Sequence, residues 1–123
     1  MDNRQALRPI ISTEPSESPA EKFQNDVLRP ILKLQHSVLI QLFSQNMPPF
    51  KSKEWTEQKQ QITEKIQKDP YLSALLSGVI LGMMTPEEIV EYGENNKEYA
   101  RRLKSMLLQR ILSHYQPLKD LPI

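Results

Sequence analysis

The stretch from Phe23 to Phe43 constrains the fold more than any other part of the chain. At 100° per residue, its apolar side chains form two neighbouring stripes that together cover about twice the arc of an ordinary surface helix. The first stripe contains Phe23, Val27, Ile31, Leu34, Val38 and Leu42, and the second contains Leu28, Leu32, Leu39 and Phe43. A helix with two apolar faces needs neighbours on two sides, so we expect it to be central.

Pro30 interrupts this central helix. Proline has no N–H for the carbonyl of Asp26, and its ring pushes against that carbonyl, so we expect a kink here. Asp26 and Arg29 can pair on the helix surface, or they belong to a polar recognition patch that uses the freed carbonyl. Gln35 lies within the apolar arc, where it either satisfies a backbone group near the kink or contacts a ligand.

Capping signals predict where the other helices begin. Ser18-Pro19, Asp69-Pro70 and Thr85-Pro86 each place a capping side chain before a proline at the first helical position. The predicted helices cover about 19–44, 52–68, 70–84, 86–93 and 96–115, and Gly93 is predicted to end the fourth as a left-handed cap. With 3 glycines and no Asn-Gly turns, β-hairpins are not expected.

We therefore predict an all-α fold, a compact four- to five-helix bundle around the Pro-kinked central helix. The predicted domain organisation is a flexible N-terminal tail over 1–17, a single helical domain over 18–116 and a C-terminal tail over 117–123. In the N-terminal tail, Leu7-Arg8-Pro9-Ile10 recurs later as Leu28-Arg29-Pro30-Ile31. Either the repeat is a coincidence, or the tail mimics the central helix and docks onto a neighbouring subunit.

The predicted helix over 70–84 is apolar all round, which favours a buried core helix because it is too short to span a bilayer. Ala74, Gly78 and Gly82 recur every four residues along one side of it, and small residues at that spacing let another helix approach closely. Ile40 lies off the main apolar face of the central helix. Together these four residues predict an interface with a protein partner, and a second copy of the chain, forming a homodimer, is one candidate partner.

Several sequence features resemble those of a family of short, all-helical bacterial proteins. They are Phe23-Gln24-Asn25, Leu28-Arg29-Pro30-Ile31-Leu32-Lys33, the Gly78 to Gly82 run, Thr85-Pro86-Glu87-Glu88, and a last helix rich in Arg and Leu. The match covers roughly residues 22 to 115 and implies a helical fold. Some members of the family carry the label glyoxalase, but usual glyoxalases use βαβββ modules and a metal held by His and Glu. Here strand signals are absent and the only histidines are His36 and His114.

Composition narrows the classes of function. Lys and Arg total 16 against 15 Asp and Glu, without a block of like charge, which argues against a dedicated nucleic-acid binder or an anionic-membrane binder. The chain has no cysteine, and its first residues lack the apolar segment of a secretory signal, so we expect a cytoplasmic protein. No catalytic motif, metal-ligand spacing or cofactor-binding loop occurs, so no cofactor, metal or catalytic residue is predicted.

Four polar residues are candidates for a ligand site. Arg110 and His114 lie four residues apart within the apolar arc of the last helix. They could form an anion or carboxylate pocket, or they could instead complement the negative end of the helix dipole. Arg29 and Gln35 on the central helix complete the candidate pocket.

Three hypotheses of function follow. The first is a non-catalytic interaction protein that self-associates through Ile40, Ala74, Gly78 and Gly82. The second is a small-ligand binding protein or enzyme that binds an anion or carboxylate near Arg29, Gln35, Arg110 and His114. The third, nucleic-acid binding through Arg101, Arg102 and Lys104, lacks aromatic stacking partners.

Overall fold

The computed structural model describes residues 4–9 and 18–117, and every regular element in these ranges is helical. After a 3₁₀ turn at Gln5–Leu7, the elements are α1 (Pro19–Phe23), a π-helical segment (Gln24–Leu28), α2 (Arg29–Leu34), α3 (His36–Asn46), α4 (Trp55–Lys68), α5 (Pro70–Leu81), α6 (Pro86–Glu94) and α7 (Asn96–Tyr115). The all-α prediction is confirmed. Since α1, the π segment and α2 follow one another without a gap, the described chain forms six longer helices instead of the predicted four to five.

Local capping places three helix starts where the sequence predicted them, whereas α4 begins at Trp55 and not at 52. The side chains of Ser18 and Asp69 accept hydrogen bonds from the backbone N–H groups of Glu21 and Leu72. Thr85 and Glu88 form a full capping box: the Thr85 hydroxyl accepts from the Glu88 N–H at 3.2 Å, and the Glu88 carboxylate accepts from the Thr85 N–H at 2.9 Å. These bonds stabilise the first turns, where the backbone N–H groups have no helical partner.

The predicted left-handed cap at Gly93 is wrong. None of the glycines in the described residues has a positive φ, and α6 continues through Gly93 to Glu94. The chain instead leaves the helix at Asn95, whose φ of −139° and ψ of 52° are not helical. Asn95 therefore separates α6 from α7 without needing the conformational freedom of glycine.

The central helix departs from α geometry at two places. Ahead of Pro30, the N–H of Arg29 bonds to the carbonyl of Gln24, five residues earlier, which is π-helical geometry. The second departure is at Gln35, whose φ of −95° and ψ of 12° interrupt the helix between α2 and α3. A bend of the helix axis at Pro30 stays a prediction.

The two apolar stripes of the central helix are not buried to the same extent along its length. All four residues of the second apolar stripe are buried, from Leu28 to Phe43. The first stripe is buried only as far as Ile31, and Leu34 and Val38 are 39% and 46% exposed. The prediction that both stripes are buried along their whole length is therefore wrong, because beyond Ile31 only the second stripe stays fully buried.

One hydrophobic core joins the helices, and α7 crosses most of it. This helix contacts the π segment, α3, α4, α5 and α6. Helical periodicity predicts an inner face of α7 made of Tyr99, Leu103, Met106, Leu107 and Ile111. Four of these side chains are buried, and Met106 is half-buried. The one-sided pattern of α4 predicts an inner stripe of Trp55, Ile62 and Ile66. Ile62 and Ile66 are buried in the core, and Trp55 packs against it half-buried.

Helix α5 has one buried side, not an apolar surface buried all round. Leu72, Leu76 and Ile80 are buried at a spacing of four residues. Tyr71 on the opposite side is 68% exposed, and Ala74 is exposed as well. The prediction of a fully buried helix is therefore wrong, because the packing of α3, α4 and α7 covers only one face.

The described part of the N-terminal tail lies against the junction of α5 and α6. Arg4 and Arg8 donate hydrogen bonds to the carbonyls of Met84 and Met83, just beyond the end of α5. The rest of the predicted N-terminal tail, at 1–3 and 10–17, lies outside the described residues, as does the predicted C-terminal tail beyond Pro117.

Candidate anion-binding site

A groove of about 520 Å³ lies between the central helix and α7, and it brings together two of the four predicted site residues. Arg29, the first residue of α2, lies on one side, and Arg110 of α7 lies on the other. The complete lining is Gln24, Arg29, Leu32, Ser105, Met106, Gln109, Arg110 and Ser113. This part of the described structure thus contains two guanidinium groups, four neutral polar side chains and no carboxylate.

Arg110 is half-buried, yet its hydrogen-bond partner is an imidazole instead of a carboxylate. Its Nη1 donates to Nδ1 of His36 at 3.3 Å. Because a guanidinium can only donate, Nδ1 of His36 must be unprotonated in this contact. Within residues 4–9 and 18–117, Arg110 forms no salt bridge. A positive charge is therefore held partly away from water without a negative partner from these ranges.

Arg29 is exposed and also has no carboxylate partner in the described ranges. The expected pair with Asp26 does not form, because Asp26 accepts a hydrogen bond from Lys22 at 2.9 Å. The guanidinium of Arg29 is thus left facing its like-charged neighbour across the groove.

The ionisation behaviour of the site reflects this excess of positive charge. Burial lowers the pKa of Arg110, and the nearby Arg29 lowers it further. The pKa of His36 is lowered by burial, then by Arg110, then by His114. Arg110 and His36 therefore each hold a proton less readily than they would in water. A negative charge entering the groove would favour the protonated form of both side chains.

Neither His114 nor Gln35 lines the groove, but His114 contacts His36, the hydrogen-bond partner of Arg110. The imidazole rings of His114 and His36 lie edge to face with their centres 5.8 Å apart, and His114 is itself exposed. Gln35 is half-buried at the break between α2 and α3, and its side chain has no hydrogen-bond partner in the described residues. The expectation that this amide satisfies a backbone group near Pro30 is therefore wrong.

The four predicted interface residues differ in how exposed they are. Ile40 is half-buried and packs against the core. Ala74, Gly78 and Gly82 are exposed, and a Cβ added at Gly78 would meet nothing within 4 Å. No described helix uses this side of α5 for close approach, so its role as an interface stays a prediction.

The basic edge of α7 is partly neutralised, because two of its arginines share one carboxylate. Arg101 and Arg102 both donate to the carboxylate of Glu98, at distances from 2.8 to 3.3 Å. Arg102 also donates to Oε1 of Gln24 at 2.7 Å. These contacts leave Arg29 and Arg110 as the basic side chains of the groove that lack a carboxylate in the described chain.

A second arginine, Arg8, has a carboxylate partner within the described chain, although its buried Nε has no hydrogen-bond partner there. Arg8 forms a two-pronged salt bridge with Glu88, at 2.8 and 2.7 Å, and both side chains are at least nine-tenths buried. Burial alone would raise the pKa of Glu88, but hydrogen bonds from Arg8 and Thr85 outweigh it and hold this pKa below its ordinary value. Sequence reasoning missed this pair, because 80 residues separate its members.

Sequence reasoning also missed His36 and the neutral lining of the groove, although a signal for the lining exists. Ser105, Gln109 and Ser113 recur every four residues and so share one side of α7. Arg110 directly follows Gln109, so a polar stripe beside a basic residue was visible. His36 became a candidate only when folding placed it against Arg110.

The chain matches no protein-family model, and it has no detectable likeness to a curated protein or a solved structure. The resemblance to short bacterial proteins therefore stays a prediction. Among the residues that the structure describes, no three His, Asp or Glu side chains form a group that could hold a metal ion. No helix in the described ranges is long and apolar enough to cross a membrane.

Proposed function

We propose that this chain is a small anion-binding protein, and that the groove between Arg29 and Arg110 is its site. The observation that carries the proposal is the half-buried Arg110 without a carboxylate partner in the described chain. Charged groups withdrawn from water are normally paired, because desolvation disfavours an isolated charge. A soluble anion bound in the groove would supply the negative partner of Arg110.

Three features of the groove support this proposal. Two guanidinium groups offer fixed, multiple N–H donors, the geometry that suits carboxylate and phosphate oxygens. The serine and glutamine side chains add neutral donors. No described carboxylate lines the groove, so nothing there repels an incoming anion.

Calorimetric titration with sodium sulfate at constant ionic strength tests the proposal. Sulfate carries no proton that titrates near neutral pH, so the measured heat contains no contribution from protonation of the ligand. We expect one site per chain and at least a tenfold weaker affinity in Arg110→Gln. Arg101→Gln is the matched control, because Arg101 lies on the same helix but is exposed and pairs with Glu98. Absence of binding, or equal binding by all three proteins, would contradict the proposal.

Self-association is a second candidate, favoured by the exposed side of α5. Ala74, Gly78 and Gly82 face away from the core, and Gly78 has open space around it. A second copy of α5 could approach this side closely, since small residues allow contact between helix backbones. In this hypothesis the chain is a non-catalytic interaction protein.

Light scattering on the full chain and on a chain starting at Ser18 tests self-association. A dimer in both would assign the interface to the helical domain, and Gly78→Leu should then give a monomer, with Glu87→Leu as an exposed control. A dimer of the full chain alone would favour docking of the tail onto a neighbouring subunit. A monomer in both would remove this candidate and leave the anion site unaffected.

The bend at Pro30, the relation to short bacterial proteins and the cytoplasmic location are retained as predictions beside these two candidates. None of them is needed for the anion site. The site depends on the placement of Arg29 and Arg110 across one groove and on the absence of a carboxylate there.

A further inference from the structure

The two arginines of the groove bear on the charge of its ligand. Arg29 lowers the proton affinity of Arg110, so the two guanidinium groups interact electrostatically across the groove. A ligand with one negative charge neutralises one of them and leaves the other unpaired. A ligand with two negative charges on a compact group neutralises both, and the attraction between unlike charges grows as they leave bulk water.

The neutral side chains bear on the shape of the charged group. Ser105, Gln109 and Ser113 line the groove along one side of α7, but Ser105 and Ser113 lie about 12 Å apart along the helix axis. Gln109 and Ser113 are the two nearest to Arg110 in sequence, so they can donate to oxygen atoms beyond those held by the arginines. Gln24 accepts from Arg102 through Oε1, which leaves its N–H₂ end as a further donor. A tetrahedral group with three terminal oxygens can use the two arginines and a neighbouring neutral donor more fully than a planar carboxylate with two.

The size of the groove and its apolar residues bear on the rest of the ligand. At about 30 Å³ per water-sized atom, a bare phosphate takes on the order of 100 Å³, whereas the groove measures about 520 Å³. Leu32 and Met106 supply apolar lining, and the flexible thioether of methionine adapts to varied shapes. The remaining space therefore suits an organic body attached to the charged group.

We propose that the ligand of this groove is the dianionic phosphate group of a small organic phosphate monoester. The proposal rests on the anion-binding function above and names the class of anion. Arg29 and Arg110 bind the phosphate oxygens from two sides of the groove. Gln109 and Ser113, the lining donors nearest to Arg110 on α7, bind the remaining oxygens. Met106 contacts the organic body above the buried Leu32.

Calorimetric titration of the full chain with phenyl phosphate, benzoate and inorganic phosphate tests this class. At pH 7.5 phenyl phosphate is mainly a dianion, because the second pKa of a phosphate monoester is about 6. Benzoate carries the same ring with one charge, and inorganic phosphate carries the charge without the ring. We expect phenyl phosphate to bind at least tenfold more tightly than benzoate and several-fold more tightly than inorganic phosphate.

Variants at the two arginines separate this inference from the broader proposal. Arg29→Gln should reduce the preference for phenyl phosphate over benzoate to less than threefold, while Arg101→Gln keeps the preference. If benzoate binds as tightly as phenyl phosphate to the unaltered protein, the dianion class is wrong although anion binding stands. If inorganic phosphate equals phenyl phosphate, the organic body is not recognised and the monoester is wrong. If no probe, including sulfate, binds, the anion-binding function itself fails.

Discussion

Arg8 and Arg110 are both withdrawn from water, but only Arg8 has a carboxylate partner in the described chain. Arg8 is bound by both oxygens of Glu88 and also donates to the carbonyl of Met83 at 2.6 Å. Arg110 faces His36 and the like-charged Arg29 instead. The same side chain is therefore placed once against a carboxylate and a carbonyl, and once between a neutral imidazole and a second guanidinium.

This difference separates a structural arginine from a binding one. At Arg8 the charge is neutralised within the chain, so its removal should damage folding. At Arg110 the charge is unneutralised, so its removal should leave folding intact and damage binding. The same substitution at the two positions should then have opposite consequences, and the following predictions test that contrast in order of expected effect.

Glu88→Ala should be the most damaging single change. It removes the capping box with Thr85 and leaves the guanidinium of Arg8 buried without its partner. Breaking a buried pair from one side costs about 3–5 kcal/mol. We expect the free energy of unfolding in urea to fall by about 3 kcal/mol, the lower end of this range. The loss is limited because segment 4–9 can partly leave the surface and expose Arg8 to water. Glu87→Ala is the control, since Glu87 is an exposed neighbour in the same turn; equal effects of the two would contradict the structural role of Glu88.

Arg8→Met should destabilise the protein less than Glu88→Ala. The capping box survives, and water can reach Glu88 once the guanidinium is gone. Hydrogen bonds to charged groups contribute about 1.5–3 kcal/mol each, so we expect a net loss of about 1–3 kcal/mol in urea unfolding. Arg101→Met, which removes an exposed ion pair, should cost no more than about 1 kcal/mol. If the two substitutions cost the same, Arg8 is not a structural arginine.

The effect of Arg8→Met should shrink in acid. The folded-state pKa of Glu88 lies below its ordinary value, so its contribution is present above about pH 4.3, the ordinary pKa of a glutamate. As the pH falls through the lower folded-state value, the carboxylate is protonated and that contribution is lost. Urea unfolding of both proteins from pH 6 to pH 3 should therefore converge, and a constant difference would contradict the pairing.

Arg110→Met should leave the free energy of unfolding unchanged or raise it by up to about 1 kcal/mol. The substitution removes a desolvated charge that Arg29 repels, and the methionine stem keeps much of the packing of the arginine stem. Urea unfolding measures the change, with Arg101→Met again as control. A loss comparable to that of Arg8→Met would show that Arg110 is structural and would end the contrast.

His36 should give the smallest effect, a dependence of stability on pH. Because its folded-state pKa is lowered from the value of 6.5, the unfolded state binds a proton more readily than the folded state. Stability should therefore fall as the pH drops below about 6.5 and should level off below the folded-state pKa. In His36→Gln this part of the pH profile should be flat, while His114→Gln should retain a slope. Identical profiles in all three proteins would contradict the placement of His36 beside Arg110.

Short-range chemistry accounts for what the sequence could predict. Caps depend on residues three apart, so Ser18, Asp69 and Thr85 could be read directly and each is found at a helix start. Helical periodicity likewise predicted the buried side of α7. The same periodicity failed for Leu34 and Val38, because the local pattern of two apolar stripes does not show which stripe the neighbouring helices cover.

The site was only partly predictable, because its residues meet through the packing of distant elements. Arg110 was a candidate from its position within an apolar arc, and Arg29 from its position beside Pro30. Their meeting across one groove depends on how the central helix lies against α7. The pair of Arg8 and Glu88, with its long sequence separation, has no signature in local spacing.

The contrast between the two arginines is tested most directly by urea unfolding in low-millimolar sodium sulfate, matched in ionic strength with sodium chloride. The unaltered protein, Arg8→Met and Arg110→Met are compared, because a ligand that binds only the folded state stabilises it. We predict that sulfate raises the unfolding midpoint of the unaltered protein and of Arg8→Met and leaves that of Arg110→Met unchanged. An equal sulfate effect on all three proteins, or an effect lost only in Arg8→Met, would contradict the assignment of Arg110 to the binding site.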